Sequence, residues 1–138
     1  MPDARVFGIN HITLTAREIE EAVAFYCDVL GCELVARWPA GAYLTAGTVW
    51  IALVVRNERP SPASDYSHVA FDVDPVAFAG VADRIRASGV RLWQDNWTEG
   101  DSLYFEDPTG HRLEIHCSDL AARLAAAQRQ PWEGLVIL

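Results

Sequence analysis

The chain contains no lysine, and all 11 of its basic residues are arginines. A phosphate-binding P-loop and a Schiff base with pyridoxal phosphate both need a lysine, so neither site is present. Cysteine is also scarce, with three residues in all. Cys27, Cys32 and Cys117 form no C-x-x-C pair. This argues against a disulfide framework or a cysteine zinc site and favours a reducing cytoplasm.

Positive charge and long apolar runs are lacking as well. The chain has 11 Lys and Arg against 19 Asp and Glu, a formal net charge of -8, which disfavours nucleic acid and acidic membrane surfaces as partners. The first residues lack the basic and apolar regions of a signal peptide. The longest strongly apolar run, Val49 to Val55, is far below the ~18 residues of a membrane span. We therefore expect a cytoplasmic protein without nucleic-acid or membrane partners.

The 138 residues, 51% of them hydrophobic, fit one domain over 1–138 in which a β-α-β-β-β pattern occurs twice. Module one covers about 6–56 and is followed by a Pro-rich linker at 57–64. Its helix is predicted to begin at a capping box of Thr15 and Glu18 and to end at Gly31. The strands of this module are predicted at 6–15, 32–37, 42–46 and 48–55.

Module two covers about 65–117 and repeats this order. Its helix is predicted to have Asp74 as N-cap and to end at Gly89. Strands are predicted at 66–73, 90–94, 102–106 and 111–117. A C-terminal helix over about 119–128 and a tail fill the segment 118–138. The fold class is α+β, and because each sheet has a helix on one side only, two such modules would enclose a cleft with their free faces.

Two histidines occupy equivalent positions of the repeat, since Asn10-His11-Ile12-Thr13 aligns with Ser67-His68-Val69-Ala70. Together with Glu114 on the last strand, His11 and His68 form a donor set that suits Mn(II), Fe(II), Zn(II) or Ni(II). The repeat aligns Glu114 with Ile51, which cannot ligate, so three ligands would leave positions open for a substrate oxygen. The same spacing is also compatible with ordinary, partly buried strand residues.

Each of the other polar and aromatic residues can be interpreted either as part of a functional site or as an ordinary structural residue. His116 shares the face of Glu114 and is a rival ligand, although it has no counterpart in the repeat, whereas His111 follows a turn and is expected to be exposed. The loop 96–102 could wrap a cation or an anionic oxygen, or be a simple polar hairpin loop. By default, Arg123 is a solvated helix residue and the strand aromatics pack in the core or an interface.

With His11, His68 and Glu114, the doubled β-α-β-β-β plan resembles the vicinal oxygen chelate, or glyoxalase and bleomycin-resistance, superfamily. The turn signature F-x-D-P-x-G-x-x-x-E from Phe105 to Glu114 is typical of that superfamily. Within it, the segment NWTEGDSLYFEDPTGHRLEIH and most of the remaining chain resemble the FosA-type fosfomycin-modifying glutathione transferases. The resemblance implies cup-shaped mixed sheets with flanking helices.

The resemblance also implies a metal-dependent enzyme that adds glutathione to the epoxide of fosfomycin, with Mn(II) as metal and K+ as activator. The implied metal ligands are His11, His68 and Glu114, and Thr13 would hydrogen-bond at the reacting oxygen. The implied substrate-binding residues are Trp50, Tyr66, Gln94, Thr98, Ser102, Tyr104 and Arg123. The implied potassium loop contains Asn96, Thr98, Gly100 and Ser102. The family is a homodimer in which each site combines the first module of one chain with the second module of the other.

Four positions depart from the family pattern. Gln94 stands where the family usually has a lysine beside the phosphonate, and the loss of one charge-assisted contact weakens anion binding by ~1.5 to 3 kcal/mol. Trp97 replaces a usual arginine, Ala40 a polar residue and Val54 a common serine. Several of these positions lie towards the approach of the thiol, so the identity of the thiol is left open.

Three other functions remain as alternatives. An epoxide hydrolase would need a general base, for which the sequence offers no candidate beyond the metal ligands. An Fe(II) dioxygenase would share the two-histidine, one-carboxylate set. A non-catalytic drug-binding resistance protein would have no need of three metal ligands.

Overall fold

The computed structural model describes residues 4–58, 60 and 65–138, and the chain divides into two compact units, one up to Pro60 and one from Ser61. Each unit contains a four-stranded mixed sheet. Of the predicted linker at 57–64, residues 59 and 61–64 lie outside the described residues.

Unit 1 is built on the sheet order β1-β4-β3-β2, with β1 parallel to β4 and the other pairs antiparallel. Its elements are β1 (His11–Ala16), α1 (Ile19–Ala24) with a π-helical continuation (Phe25–Val29), β2 (Glu33–Trp38), β3 (Gly41–Ala46) and β4 (Val49–Val55). Ala22, Val23 and Tyr26 on the helical segment are buried, as are Leu44 and Ile51 on the central strands. Burial of this apolar stripe against the sheet holds the unit together.

The start of unit 1 differs from the prediction at two points. β1 begins at His11 rather than at residue 6, and the preceding Phe7 is fully exposed. The predicted capping box is wrong, because Thr15 lies within β1 and Glu18 is itself the N-cap, without a side-chain capping bond. Parallel pairing with β4 continues to Ala16, and this sheet pairing extends the strand past the predicted helix start.

Unit 2 repeats the arrangement with the sheet order β5-β8-β7-β6. Its elements are β5 (Val69–Asp72), α2 (Phe78–Ala87), β6 (Leu92–Gln94), β7 (Ser102–Glu106), β8 (Arg112–His116) and α3 (Leu120–Arg129). Ile85 of α2 and Phe105, Leu113 and Ile115 of the sheet are almost completely buried. Phe105, Leu113 and Ile115 form the apolar side of the sheet, and α2 packs against β8. The polar cluster of this unit lies on the other side of the sheet.

The helix starts of unit 2 confirm one prediction and correct another. The predicted start of α3 near residue 119 is confirmed: Asp119 is the N-cap of this helix and accepts a hydrogen bond of 2.8 Å from the backbone N–H of Ala122. Asp74 is not the N-cap of α2, because its carboxylate accepts from the N–H of Val76 and closes a turn ahead of the helix. The opening strand is also shorter than predicted and covers Val69–Asp72.

Strand register corrects the alignment of the two repeats. The sequence repeat matches Thr13 with Ala70, and these residues lie opposite Ala52 and Glu114. The counterpart of Glu114 is therefore Ala52, and the predicted match with Ile51 is wrong by one residue. A shift of one residue moves a side chain to the other face of a sheet, and Ile51 is fully buried. Alanine cannot ligate either, so unit 1 has no equivalent carboxylate at this place.

Over residues 4–58, 60 and 65–138, no helix is both long enough and apolar enough to cross a membrane.

Candidate metal and anion site

The polar cluster of unit 2 is created by the pairing of β7 with β8. In this register Ser102 lies opposite His116, and Tyr104 lies opposite Glu114. Alternate residues of a strand point to the same face, so all four side chains share the side opposite Leu113 and Ile115. The neighbouring strand β5 begins directly after His68, which brings this histidine to Glu114.

His68 and Glu114 face each other as two electron-pair donors. Nε2 of His68 lies 3.0 Å from Oε1 of Glu114. Glu114 is buried, with only 5% of its surface exposed. Nδ1 of His68 lies 2.8 Å from the backbone oxygen of Tyr66, which can only accept, so Nδ1 carries the ring proton. Nε2 then directs its lone pair at the carboxylate, and the two groups repel unless a cation or a proton lies between them. This donor set fits a divalent metal ion, with the histidine oriented through its second nitrogen.

A second histidine approaches Glu114 through a serine. Oγ of Ser102 lies 2.6 Å from Oε2 of Glu114 and 2.6 Å from Nδ1 of His116. A carboxylate can only accept, so Ser102 donates to Glu114 and accepts from the Nδ1–H of His116. Nε2 of His116 is left as an acceptor, and Nη2 of Arg123 lies 3.5 Å from it. The chain of contacts therefore runs from Arg123 to the buried carboxylate.

Arg123 on α3 is paired with the loop before β7. Its Nε lies 3.3 Å from Oε2 of Glu99, and its Nη2 lies 3.5 Å from Oγ1 of Thr98. The hydroxyl of Ser118 donates to the other oxygen of Glu99, and this bond, with the charge of Arg123, lowers the pKa of Glu99 below its ordinary value. Glu99 is thus ionised at neutral pH and offsets the charge of Arg123.

The loop from residue 96 to 102 is closed by its own polar groups. Nδ2 of Asn96 donates to the carbonyl of Gly100 at 2.8 Å, and Oδ1 of Asn96 accepts from both N–H and Oγ1 of Thr98 at 3.0 Å. Gly100 has a φ of 77°, and an added Cβ would lie 2.8 Å from Cβ of Ser118 and 3.0 Å from Cε1 of His116. Only glycine allows this loop to pack against the cluster.

Aromatic side chains surround His68 and Glu114. Tyr104 is 3% exposed, and burial, with a smaller contribution from the charge of Glu114, raises its pKa. Its phenol is therefore a neutral hydrogen-bond donor at physiological pH. The rings of Tyr66 and Trp93 meet the imidazole of His68 edge-on, with centroids 5.1 and 5.3 Å away. The amide of Gln94 donates to the hydroxyl of Tyr66 at 3.3 Å.

Unit 1 presents its own histidine in a similar way. Nδ1 of His11 lies 2.6 Å from Oδ1 of Asn10, so this nitrogen donates and Nε2 is left with its lone pair. The imidazole packs on the indole of Trp50, with ring centroids 4.2 Å apart. Thr13 lies on the same face of β1 as His11. The indole N–H of Trp50 is buried and has no hydrogen-bond partner within the described part of the chain.

Two of the three predicted metal ligands thus meet in unit 2, and the third, His11, belongs to unit 1. Among residues 4–58, 60 and 65–138, no group of three or more His, Cys, Asp or Glu side chains is placed to hold a metal ion.

Comparison with known sequences gives the family. The model of the glyoxalase/bleomycin resistance protein/dioxygenase superfamily matches residues 8–115. The glutathione transferase FosA of Serratia marcescens is 44% identical over 132 residues, which cover 94% of each chain. The chain belongs to this superfamily. The metallothiol transferase FosB of Shouchella clausii is 33% identical over 137 residues, covering 95% of this chain and 94% of that protein.

Solved structures of the superfamily agree with the fold. The fosfomycin resistance protein FosX of Listeria monocytogenes, in complex with Mn(II) and sulfate, has a TM-score of 0.76 at 26% identity and covers 88% of this chain and 98% of that one. FosX of Mesorhizobium loti has a TM-score of 0.73 at 27% identity, with coverage of 87% and 99%. The predicted α+β fold with two mixed sheets is confirmed.

Most residues that the superfamily resemblance singles out in module two are neighbours in unit 2. The cluster and its loop contain Tyr66, His68, Gln94, Asn96, Thr98, Gly100, Ser102, Tyr104, Glu114 and Arg123. The default interpretation of Arg123 as a solvated helix residue is wrong, because it is half-buried and paired with Glu99.

Sequence reasoning missed four residues of these clusters: Asn10, Trp93, Glu99 and Ser118. The position of Asn10 directly before a candidate ligand was an available signal. The contacts of Glu99 and Ser118 join segments that are distant in sequence, and no local pattern marks them. His116 was noted as a rival ligand, but its Nδ1 is turned to Ser102.

Proposed function

We propose that this protein is a metal-dependent transferase that adds glutathione to the epoxide ring of fosfomycin. The observation that carries the proposal is the pair of opposed electron-pair donors, His68 and Glu114, beside the hydrogen-bond donors Tyr104 and Arg123. A cation at the pair and an anion at the donors would satisfy both halves of the cluster. The 44% identity to the glutathione transferase FosA supports this choice of thiol and reaction.

The proposed metal ligands are His11, His68 and Glu114. We favour Mn(II), with Zn(II), Fe(II) and Ni(II) as other candidates, because the ligand set is mixed nitrogen and oxygen and because a FosX structure contains Mn(II). In the proposed homodimer, His11 comes from the first unit of one chain and the other two ligands from the second unit of its partner. When bound, the metal supplies Lewis acidity to a substrate oxygen. Asn10 and the carbonyl of Tyr66 keep the two imidazoles in the ligating tautomer.

The phosphonate is proposed to bind at Thr98, Ser102, Tyr104 and Arg123. The neutral phenol of Tyr104 donates to the anion, and Arg123 contributes those N–H groups that Glu99 does not use. Because Glu99 offsets Arg123, a dianionic phosphonate needs further positive charge. K+ at the loop 96–102 would supply it, held by oxygens of Thr98, Gly100 and Ser102. Oδ1 of Asn96 already accepts two hydrogen bonds, so Asn96 shapes this loop.

The reaction needs no nucleophile from the protein. The sulfur of glutathione forms a bond to one epoxide carbon, the C–O bond at that carbon breaks, and the freed oxygen takes up the proton that the thiol has lost. Thr13 shares a face with His11 and is proposed to hydrogen-bond at this oxygen. Trp50 and Tyr66 line the substrate cavity in this proposal, with Gln94 beside the phosphonate. A cytoplasmic location agrees with the need for reduced glutathione.

Mass spectrometry of fosfomycin tests the proposal. Protein loaded with Mn(II) and K+ is incubated with fosfomycin and glutathione, and we expect an adduct of the two substrates. Glu114→Gln, which keeps the size of the side chain and removes its charge, is the matched control and is expected to give no adduct. Equal adduct formation with and without protein would refute the proposal.

The same experiment separates the alternatives. A product heavier than fosfomycin by one water would identify an epoxide hydrolase. Unchanged fosfomycin that stays bound to the protein would indicate a drug-binding resistance protein. Unchanged and unbound fosfomycin would direct the search to other substrates of the metal site.

A further inference from the structure

His116 is the one histidine of the unit 2 cluster to which the proposed reaction gives no task. It lies at the end of β8, directly opposite Ser102 on β7 and on the face of Glu114. It is half-buried, and both ring nitrogens are in contact with other groups of the cluster. Neither nitrogen is open to a metal ion, because Nδ1 meets Ser102 and Nε2 meets Arg123.

The direction of the Ser102 hydroxyl depends on which ring nitrogen of His116 carries the proton. A serine hydroxyl has one proton, and in this geometry it lies in the 2.6 Å bond to Oε2 of Glu114. If His116 carried its proton on Nε2, its Nδ1 would compete for that proton as a second acceptor. With the proton on Nδ1, His116 donates to the serine oxygen and turns the hydroxyl towards the carboxylate. Donation by Arg123 to Nε2 favours this tautomer.

We propose that His116 is a positioning residue for Glu114 and acts through Ser102. The relay holds Oε2 of Glu114, so that Oε1, which faces His68, is presented to the metal ion. Ser102 then gives its only proton to the carboxylate, so it lines the proposed phosphonate site without donating to the anion. The inference deepens the proposed function, because it takes Glu114 as a metal ligand.

The size of the effect follows from the general behaviour of metal sites. Partners that orient a ligating group by hydrogen bonds contribute roughly 10- to 100-fold in metal affinity or activity. Without the serine bond, the carboxylate can rotate about its last torsion and divide its time between orientations. Loss of the relay should therefore weaken the metal while leaving the apolar face of the sheet, with Leu113 and Ile115, intact.

Two substitutions of His116 separate positioning from mere space filling. The amide nitrogen of asparagine takes the place of Nδ1, so His116→Asn keeps the donor to Ser102. His116→Gln places its amide near Nε2 and loses that donor. We expect the Mn(II) dissociation constant, measured by electron paramagnetic resonance of free Mn(II), to rise about 10- to 100-fold in His116→Gln and less than about threefold in His116→Asn. Excess Mn(II) should restore the activity of His116→Gln.

The same Mn(II) titration includes a control variant and defines the result that would overturn the proposal. His111→Gln removes the histidine that precedes β8 and is outside the cluster, and it should leave Mn(II) binding unchanged. Thermal unfolding of each variant shows that it is folded. Equal Mn(II) affinity in His116→Gln and His116→Asn, whether both are weakened or neither is, would overturn the relay.

A metal-free measurement keeps the inference separate from the proposed function. Long-range ¹H–¹⁵N spectra of histidine-labelled protein at pH 8 assign the ring tautomers, and Ser102→Ala identifies the signal of His116. We expect the Nδ1–H tautomer, and an Nε2–H form would overturn the inference. If fosfomycin is not modified but the tautomer and the Mn(II) difference are found, the relay holds and the proposed function fails.

Discussion

The substitution Gly100→Ala tests whether the loop 96–102 is fixed by its packing against the polar cluster. Gly100 has a φ of 77°, and a methyl group there would lie 2.8 Å from Cβ of Ser118 and 3.0 Å from Cε1 of His116. The Cβ of Ser118 cannot rotate away, since it is fixed to the backbone. The loop or the segment that precedes α3 must therefore move.

Gly89 provides the matched control in the same unit. It has a φ of 80°, and a methyl group there would have no atom within 4 Å. Gly89→Ala thus carries only the conformational penalty of the left-handed region, about 1–2 kcal/mol. Gly100→Ala carries the same penalty and, in addition, overpacking of roughly 1–3 kcal/mol. We expect the free energy of unfolding to differ between the two variants by about 1–3 kcal/mol.

Two assays examine this prediction. Urea unfolding at pH 7.5 measures the stability difference, and initial rates with fosfomycin and glutathione measure the effect on the site. Displacement of Thr98 and Glu99 with the loop should reduce kcat/KM by about 100-fold in Gly100→Ala, because misplacement by ~1 Å is sufficient for this loss. Gly89→Ala should retain its activity. Equal stability and equal activity of the two variants would refute the packing argument.

Three further predictions concern single side chains. Glu114→Ala should abolish turnover and weaken Mn(II) binding while the chain still unfolds cooperatively; retained turnover would contradict the metal site. Gln94→Lys should lower the fosfomycin KM by about ten- to 100-fold through a charge-assisted contact, and an unchanged KM would place the phosphonate elsewhere. Burial, with a smaller contribution from Cys27, raises the pKa of Cys32 from 9.0 to about 11, so its alkylation at pH 8.5 in the unsubstituted protein, followed by peptide mass spectrometry, should be roughly 50- to 100-fold slower than that of free cysteine. Because the unfolded chain releases this proton first, Cys32 should lower stability as pH rises from about 9 to about 11, and Cys32→Ala should remove that part of the pH dependence.

The helices and most strands could be predicted because their signals are local. The stripe that includes Ala22, Val23 and Tyr26 marked α1, and Asp119 marked the start of α3. Predictions failed where pairing between distant segments decides the outcome. β1 extends past Thr15 because β4 pairs with it, and no residue near Thr15 announces that pairing.

In the candidate site, too, local patterns indicate the residues, but long-range strand pairing decides their contacts. The repeat indicated His11 and His68 as equivalent residues, and the turn signature indicated Glu114. That His68 and Glu114 lie 3.0 Å apart follows from the parallel pairing of β5 and β8, which is a long-range contact.

The sequence alone therefore determined the doubled β-α-β-β-β order, the residue types of the candidate metal ligands and the acidic character of the chain. These properties depend on composition and on periodicities within about ten residues. Only the tertiary structure decided that Ala52 and not Ile51 matches Glu114, that Ser102 lies between His116 and Glu114, and that Glu99 pairs with Arg123. Strand register and hydrogen-bond direction are set by turns and packing across the whole sheet, and one residue of slip reverses the face of every side chain.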